Sequence, residues 1–316
     1  MKWLSPYREN GVWLRGNFHT HTVVSDGGFS PEETVYYYRD CTHCKRGPWS
    51  EYKFIAITDH TTNGKKELFH MPESTEEFSV IEGREDSFGH HILGIGCPMT
   101  FQEDEIGKGR ACYELEEDQK VIDKIVRQGG LAILAHPHWA EEEYWPKWKA
   151  EQLNDYTAIE IINGDLFSGP GHLSTDVWDA ALTAGKKVWA TGNDDFHSPR
   201  DYHNAWNMVY AEKNTPEAIM DALRQGSLYV SNGAAFDSVR ADGDWIIAEC
   251  SKDSIYNNTE KTFRFIGEGG HLYQLQMGKN GCAAYKAQGC EKYIRVELSL
   301  DWGMAAFSQP FFPAEE

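Results

Sequence analysis

Short apolar segments that end in histidine or acidic residues recur between residues 11 and 197, and they constrain the fold more than any other feature of the chain. We predict strands over residues 11–19, 53–58, 78–82, 90–96, 131–135, 157–162 and 187–191. Helical patterns open at Ser30 and cover residues 114–128, 173–184 and 216–225. Apolar strands that alternate with helices are typical of an α/β fold with a mainly parallel sheet, open or closed.

The pattern changes after about residue 232. Segments 262–267, 271–278 and 293–300 are short, rich in aromatic and β-branched residues, and separated by glycine-rich breaks. No helical period is visible there. We therefore predict two parts, an α/β domain over residues 1–232 and a small all-β lobe over residues 233–316.

The charge balance limits the partners that the protein can have. The chain of 316 residues is 41% hydrophobic, which is enough for a sizeable core, and its formal net charge is −19. It has no run of lysines and arginines, which binding to nucleic acid requires. We expect a small-molecule substrate, without nucleic acid or a membrane as partner, and we make no prediction of the oligomeric state.

Cysteine usage and hydropathy indicate the compartment. The first ten residues contain no apolar stretch of signal-peptide length, and no uncharged run is long enough to cross a bilayer. Seven cysteines are an odd number, which fits free thiols in a reducing compartment better than a disulfide framework. Cys41 and Cys44 have no second pair at zinc-finger spacing, so we interpret them as inert thiols. We predict a cytoplasmic protein.

Nearly every predicted strand has a histidine or an acidic residue at one end. These residues are His19, His21, Asp26, His60, Glu82, Glu85, His90, His91, His136, His138, Asp194, Asp195 and His197. In α/β folds the chemistry gathers at the carboxyl ends of the strands, and residues two apart in extended chain point to the same side. Imidazole and carboxylate together suit zinc, iron or manganese better than calcium or magnesium. A single motif of this kind is weak evidence for a metal site. Five such motifs at the ends of successive strands are difficult to explain by chance.

The motifs resemble those of a known family. The segments FHTHTVVSDGGFSPEE, IAITDH, EGRE, HILGIG, AHPH and NDDFH together resemble the PHP (polymerase and histidinol phosphatase) superfamily, over about residues 13–232. The resemblance implies a distorted (β/α)7 barrel, TIM-like, which holds two or three divalent metals and hydrolyses phosphoesters. Residues 221–233 and the β lobe are similar to the branch related to carbaryl hydrolases.

The resemblance also implies which residues bind the metals. A first metal would be held by His19, His21, Glu85 and Asp195, a second by Glu85, His91 and His136, and a third by Asp26, His60 and His197. Asp26 stands where many members have histidine and others have aspartate.

Two of these assignments involve a choice between neighbouring residues. Glu85 is preferred over Glu82 because it occupies the G-x-E position, and Glu82 would then support the ligands. His91 is preferred over His90 because it directly precedes the apolar ILGIG segment, and neighbours on a strand face opposite ways. His90 is expected to face solvent or to form hydrogen bonds. The histidines His43, His70, His172, His203 and His271 match no motif and are not expected to bind metal.

The expected reaction is attack by a metal-bridged hydroxide on a phosphoester. Asp195 would orient the hydroxide or take its proton, and His138 is either the general acid or only a hydrogen-bond partner. Arg200 is either a clamp for the phosphate or a surface arginine, and Asn163 is a candidate to contact the substrate. Trp139, Trp145 and Trp148 either wall an aromatic pocket or pack at the lobe boundary.

The leading hypothesis is therefore a metal-dependent phosphoesterase, a hydrolase, that acts on a small phosphorylated metabolite. The alternative is a metal-dependent hydrolase of a carboxylic or carbamate ester on the same cluster, which the charge of −19 favours slightly because anionic substrates are repelled at long range. A third hypothesis is a non-catalytic scaffold, which predicts that some of the metal-binding residues are missing.

Overall fold

The computed structural model describes residues 2–40, 51–61, 70–97, 113–139, 144–165, 173–252 and 259–314. Cys41, Cys44, His43 and His172 lie outside these ranges. Within the described ranges, no helix is long and apolar enough to cross a bilayer.

The described strands are mostly short. They are β1 (Trp3–Leu4), β2 (Val12–Asn17), β3 (Tyr52–Ile57), β4 (Ser79–Asp86), β5 (Ile92–Ile95), β6 (Leu131–Leu134), β7 (Ala158–Asn163), β8 (Trp189–Asn193), β9 (Trp206–Ala211), β10 (Leu228–Ser231), β11 (Phe236–Asp242), β12 (Trp245–Cys250), β13 (Lys261–Gly267), β14 (His271–Gly278), β15 (Cys282–Lys286), β16 (Arg295–Ser299), β17 (Ala305–Ser308) and β18 (Phe312–Pro313).

Helices are fewer. They are α1 (Pro31–Asp40), α2 (Leu115–Arg127), α3 (Lys147–Gln152), α4 (Thr175–Thr183) and α5 (Pro216–Gln225). Before α1, Ser30 and Glu33 form a capping box, in which the Glu33 N–H donates to Ser30 Oγ (3.2 Å) and the Ser30 N–H to Glu33 Oε2 (2.8 Å). These two bonds satisfy N–H groups that a helix start leaves without a partner.

The main sheet has thirteen strands in the order β14-β13-β16-β17-β10-β9-β2-β3-β4-β5-β6-β7-β8. Only the pairs β2–β3, β3–β4, β6–β7 and β7–β8 are parallel, and the other neighbours are antiparallel. Between β2 and β8, the strands for which a mainly parallel sheet was expected, four of the six pairs are parallel. The complete sheet is mixed, because β9, β10 and the strands after residue 232 add antiparallel pairs. The β4–β5 pair is antiparallel since only residues 87–91 separate these strands, whereas a parallel connection needs a crossover of a dozen residues or more.

The segments that follow β2 and β8 lie side by side, although these strands are far apart in the sheet order. Thr20 and Phe196 form an isolated parallel bridge, and the His21 N–H donates to the Phe196 carbonyl (2.9 Å). This bridge brings the residues after β2 next to the residues after β8, where the site described below is formed.

The strands after residue 232 continue the main sheet and add a second one. β17 pairs antiparallel with β10, and β16, β13 and β14 extend the sheet beyond it. β11, β12 and β15 form a separate three-stranded sheet. The boundary at residue 232 is therefore crossed by a strand pairing, and the division into two domains stays a prediction.

Candidate metal centre

Glu85 lies at the centre of the histidine cluster and is almost completely buried near the end of β4 (1% exposed). Its Oε2 atom is 3.4 Å from His19 Nε2, 3.3 Å from His21 Nε2 and 3.0 Å from His60 Nδ1. Its Oε1 atom faces the other side, 2.9 Å from His91 Nδ1 and 3.1 Å from His136 Nε2. One carboxylate thus contacts five imidazole rings, which is the position that a bridging ligand would occupy.

Several of these buried atoms have no hydrogen-bond partner. They are His60 Nδ1, Glu85 Oε2, His91 Nδ1, His136 Nδ1 and Asp195 Oδ1. His60 Nδ1 and His91 Nδ1 lie 3.0 Å and 2.9 Å from the Glu85 carboxylate without forming a hydrogen bond to it. A buried polar atom without a partner costs free energy, so such a group implies a ligand that satisfies it.

The spacing around Asp195 fits a transition metal. Asp195 Oδ1 lies 3.1 Å from both His19 Nε2 and His21 Nε2, and these two nitrogens are 3.0 Å apart. Metal–ligand bonds of about 2.0–2.2 Å place neighbouring donor atoms about 3.0–3.5 Å from each other. The two nitrogens and the oxygen therefore fit around one cation.

A second group of donors lies on the more open face of the cluster. Asp26 Oδ2 is 3.4 Å from His60 Nε2, and Asp26 Oδ1 is 3.5 Å from His197 Nε2 and 3.6 Å from His21 Nδ1. The Asp26 side chain is 47% exposed, whereas the ligand candidates around Glu85 are buried or mostly buried. Among the described residues, four groups could each hold a cation: His21, Asp26, His60 and His197; His19, Glu85 and His136; His19, His21 and Asp195; His60, Glu85 and His91.

Glu160 supports this cluster from behind, and sequence reasoning missed it. It is fully buried on β7, and its Oε1 atom is 3.1 Å from His19 Nδ1. It also accepts hydrogen bonds from the His136 N–H (2.7 Å) and from the side chains of Asn163 (2.9 Å) and Asn193 (2.8 Å). A proton on His19 Nδ1 would be held by Glu160, which leaves Nε2 to face the cluster. The available signal was a single acid inside the apolar strand AIEIIN.

Asn163, predicted to contact substrate, is buried beside Asp195. Its Nδ2 group donates to Asp195 Oδ2 (3.0 Å) as well as to Glu160, and its Oδ1 atom accepts from the Asp165 N–H (3.1 Å). These contacts orient Asp195 so that Oδ1 points toward the histidines.

Asp59 fixes the loop that carries Asp26. Its carboxylate accepts hydrogen bonds from the N–H groups of Thr22 (2.7 Å) and Ser25 (3.2 Å) and from both of their hydroxyl groups. Gly27 closes the loop against the chain, since a Cβ atom there would lie 2.5 Å from the His21 carbonyl. The glycine after Asp26 is therefore required by close packing rather than by chemistry.

Two of the ligand candidates, His136 and Asp195, have strained backbone conformations. His136 has φ of 30° and Asp195 has φ of 50°, in the left-handed region that side chains other than glycine rarely adopt. Such conformations cost of order 1–3 kcal/mol and persist where the surroundings impose them, often at functional sites.

The histidines and the carboxylates of the cluster shift each other's pKa values. Burial lowers the pKa of His19, but the carboxylates of Asp195, Glu85 and Glu160 outweigh this and hold the pKa well above its ordinary value. Burial also lowers the pKa of His21, yet the adjacent carboxylates of Asp195 and Glu85 raise it to about 10. Burial raises the pKa of Glu85 and Asp195, while the surrounding histidines hold both well below their ordinary values. Protons therefore balance the charge of the acids here, and a metal that binds would displace them.

Glu82 and His90 lie outside the donor groups. Glu82 pairs with Ile57 along the sheet, three residues before Glu85. His90 is buried on the other side of its segment, with Nδ1 3.0 Å from Asp118 Oδ2 and its ring stacked on Trp145 (4.3 Å between ring centroids). Lys149 completes that buried cluster, 2.6 Å from Asp118.

His138 and Arg200 point to partners other than the cluster. His138 Nε2 is 2.8 Å from Asp176 at the start of α4. Arg200 is 78% exposed, and its guanidinium contacts Asp165 and Asp201, each at 2.9 Å. Their roles as general acid and phosphate clamp are not supported by these contacts and stay predictions.

Asp194, the neighbour of Asp195, has a structural environment. It accepts hydrogen bonds from the hydroxyl groups of Tyr38 (2.8 Å) and Tyr52 (3.3 Å) and from three backbone N–H groups of residues 203–205. Burial raises its pKa to about 6. These bonds anchor the turn in which Asp195 adopts its left-handed conformation.

Comparisons with known proteins agree with this architecture. No family model matches the chain. An uncharacterized protein of Methanocaldococcus jannaschii is 27% identical over 211 residues, which cover 60% of this chain and 84% of that protein. A crystal structure from Bacteroides vulgatus, of a two-domain protein containing a predicted PHP-like metal-dependent phosphoesterase, matches with a TM-score of 0.53 and 16% identity, over 98% of each chain. At that identity the likeness shows a shared fold, and the chain is similar to this two-domain protein in its mixed α/β architecture.

Proposed function

We propose that this protein is a metal-dependent phosphoesterase that hydrolyses a small phosphorylated metabolite. The observation that carries the proposal is the convergence of imidazoles and carboxylates around Glu85, with buried donor atoms that lack hydrogen bonds. The Bacteroides protein with a similar fold contains a predicted PHP-like metal-dependent phosphoesterase, which supports the choice of reaction.

The proposed ligands form three sets. A first metal would be held by His19, His21, Glu85 and Asp195, a second by Glu85, His91 and His136, and a third by Asp26, His60 and His197. Zinc, iron or manganese suit this mixture of nitrogen and oxygen donors. The half-exposed Asp26 makes the third set the most open of the three.

Bound metals would lower the pKa of water and neutralise charge on the phosphoryl group. Neighbouring groups of the protein orient the side chains of the proposed ligands. Glu160 holds the proton of His19 on Nδ1, and the Nδ1 atom of His197 lies 2.8 Å from the Asp195 carbonyl, so that both rings present Nε2 to the cluster. Asn163 holds Oδ2 of Asp195, which leaves Oδ1 facing His19 and His21, where this carboxylate would orient the attacking water.

The finer description of the fold belongs to the same proposal. We infer that β2 to β8, consecutive in the sheet, form the distorted seven-stranded barrel of the PHP superfamily, and the bridge between Thr20 and Phe196 supports its closure. We keep the boundary at residue 232 and the relation to the carbaryl-hydrolase branch as parts of this proposal.

The second candidate is a metal-dependent hydrolase of carboxylic or carbamate esters. One observation favours it: Arg200, the arginine proposed to clamp a phosphate, is exposed and paired with Asp165 and Asp201. An uncharged ester would not need such a clamp.

The experiment compares the metal-loaded protein on p-nitrophenyl phosphate, bis-p-nitrophenyl phosphate and p-nitrophenyl acetate. We expect hydrolysis of a phosphate ester that disappears in Glu85→Gln and persists in Glu82→Gln, because Glu85 belongs to two of the described donor groups and Glu82 belongs to none of them. Activity on the acetate alone would replace the leading proposal by the second one.

A further inference from the structure

Trp139 lies directly beside two of the proposed ligands. Its indole stacks on the ring of His91 (5.1 Å between centroids, 29° between planes) and lies 5.5 Å from the ring of His136. A turn holds it there, since the Trp139 N–H donates to the His136 carbonyl (2.9 Å). A group bound next to Glu85, His91 and His136 would therefore lie within reach of this indole.

The indole is only partly covered by these contacts. Trp139 is 37% exposed, whereas Trp145, the tryptophan stacked on His90, is fully buried. Trp145 therefore has a packing role, and Trp139 leaves apolar surface open beside the cluster. The exposed part of the indole thus lies next to the rings of His91 and His136, where a planar group could pack on it.

Tyr144 packs against Trp139, and the two rings form an aromatic wall beside the cluster. The hydrogen bonds of Tyr144 hold this wall in place. Its ring meets the Trp139 ring edge-on (5.3 Å, 77°), and its hydroxyl accepts from the His91 N–H (2.9 Å) and donates to the Gly89 carbonyl (3.3 Å). A wall whose side chains are already fixed loses little conformational entropy when a ligand packs on it.

Two described cations that could otherwise bind an anionic substrate are paired with carboxylates. Arg200 contacts Asp165 and Asp201, and Lys147 contacts Asp176 (2.9 Å). The part of the chain that the structure describes thus places an aromatic face, rather than an open cation, beside His91 and His136.

We propose that the substrate carries a planar aromatic group that stacks on Trp139 while its ester is bound at the cluster. This inference rests on the proposed function, and it defines the substrate class as aryl or similarly planar esters. Trp139 is a specificity-determining residue here and takes no part in bond cleavage.

The test measures binding of phenylphosphonate, cyclohexylphosphonate and methylphosphonate to the metal-loaded protein by calorimetry. Wild type is expected to bind phenylphosphonate about tenfold more tightly than methylphosphonate, with cyclohexylphosphonate in between, because stacking adds to apolar contact. Trp139→Ala should remove this preference and leave methylphosphonate binding unchanged, and Trp139→Phe should retain most of it. Trp148→Ala is the matched control, since Trp148 is also exposed (47%) and lies on α3.

The outcomes separate this inference from the proposed function. An equal loss for all three phosphonates in Trp139→Ala, or no loss for any, would overturn the inference, because the indole would then only brace His91 or contribute nothing. Wild type that neither binds a phosphonate nor hydrolyses p-nitrophenyl phosphate would overturn the proposed function and the inference with it. Metal content measured for each variant distinguishes lost stacking from lost metal.

Discussion

At the scale of single residues, the proposed centre depends on side chains that are not proposed ligands themselves but hold the ligands in position. Glu160 contacts His19, the backbone of His136 and two asparagines, so one buried carboxylate positions both halves of the cluster. Outer carboxylates of this kind fix the tautomer of a ligand histidine and raise its basicity.

Replacing Glu160 by glutamine should therefore weaken metal binding. We expect a loss of affinity of about 10–100-fold, because the amide cannot hold the proton of His19 as the carboxylate does. The amide NH2 would also face groups that donate now, which should reduce the free energy of unfolding by about 1–3 kcal/mol. Competition with a zinc chelator and urea unfolding measure the two effects.

Glu151→Gln serves as the control, because Glu151 is exposed on α3. Equal metal affinity in wild type, Glu160→Gln and the control would show that Glu160 has no positioning role.

Much of the residue-level arrangement follows from alternation along strands. The structure brings His91 to Glu85 and His90 to Asp118, the division that opposite-facing neighbours predict. Glu160 could not be found in this way, because it interrupts an apolar strand and its partners come from other strands. The left-handed conformations of His136 and Asp195 also depend on tertiary contacts that the sequence does not display.

At the scale of elements, α5 shows how local signals determine a boundary. Thr215 caps its start by accepting from the Ala218 N–H, and Gly226 ends it with φ of 75°. A Cβ atom on Gly226 would lie 2.5 Å from the ring of Trp189, and Trp189 Nε1 donates to the Arg224 carbonyl (3.1 Å). The glycine is thus required by both conformation and packing.

Gly226→Ala should destabilise the protein more than Gly185→Ala. Both glycines have a positive φ, of 75° and 91°, but nothing lies within 4 Å of a Cβ atom on Gly185. The left-handed conformation costs about 1–2 kcal/mol at either site, and the clash with Trp189 adds about 1–3 kcal/mol at Gly226. Urea unfolding of the two variants provides the comparison, and equal losses would contradict a packing role for Gly226.

The turn between β15 and β16 is held by one buried carboxylate. Glu291 accepts hydrogen bonds from the Tyr285 hydroxyl and from the N–H groups of Gln288 (2.7 Å), Gly289 (2.9 Å) and Cys290 (3.0 Å). Burial raises the pKa of Glu291, but these hydrogen bonds outweigh it and keep the pKa below its ordinary value.

Glu291→Gln should therefore destabilise the protein in a pH-dependent way. A lowered pKa means that the carboxylate stabilises the folded state fully above the ordinary glutamate pKa of about 4.3, and less as the pH falls through the folded value. We expect a loss of about 1–3 kcal/mol at neutral pH that shrinks below about pH 4. Glu249→Gln, at an exposed pair with Arg240, should show little effect at any pH. A loss that does not vary with pH would contradict the role of the charge.

The predicted helices and the seven strands predicted up to residue 191 each have a counterpart in the structure, where the strands are β2 to β8, but α3 was not predicted. Residues 114–128, 173–184 and 216–225 were predicted as helices, and the structure has α2, α4 and α5 at Leu115–Arg127, Thr175–Thr183 and Pro216–Gln225. The caps and the apolar period that define them are local. The strands β9 and β10 were not predicted, and the antiparallel direction of β5 depends on its pairing with β4 and β6.

At the scale of the whole molecule, the centre is assembled from segments that lie far apart in the chain. Residues 19–26 follow β2, Glu85 lies near the end of β4, His136 follows β6 and Asp195 follows β8. The bridge between Thr20 and Phe196 joins the first of these segments to the last. Motif order could predict which residues meet, but the continuous sheet that runs through β10 and β17 beyond residue 232 could only be seen in the fold.

The most direct test of the central claim is anomalous X-ray diffraction from crystals of the protein loaded with manganese or zinc. We expect two or three anomalous peaks per chain, one within bonding distance of His19, His21, Glu85 and Asp195 and another beside His91 and His136. In Glu85→Gln we expect the loss of the two peaks that Glu85 would contact. Crystals that bind these metals only elsewhere, or show no peak among the histidines after loading, would contradict the central claim.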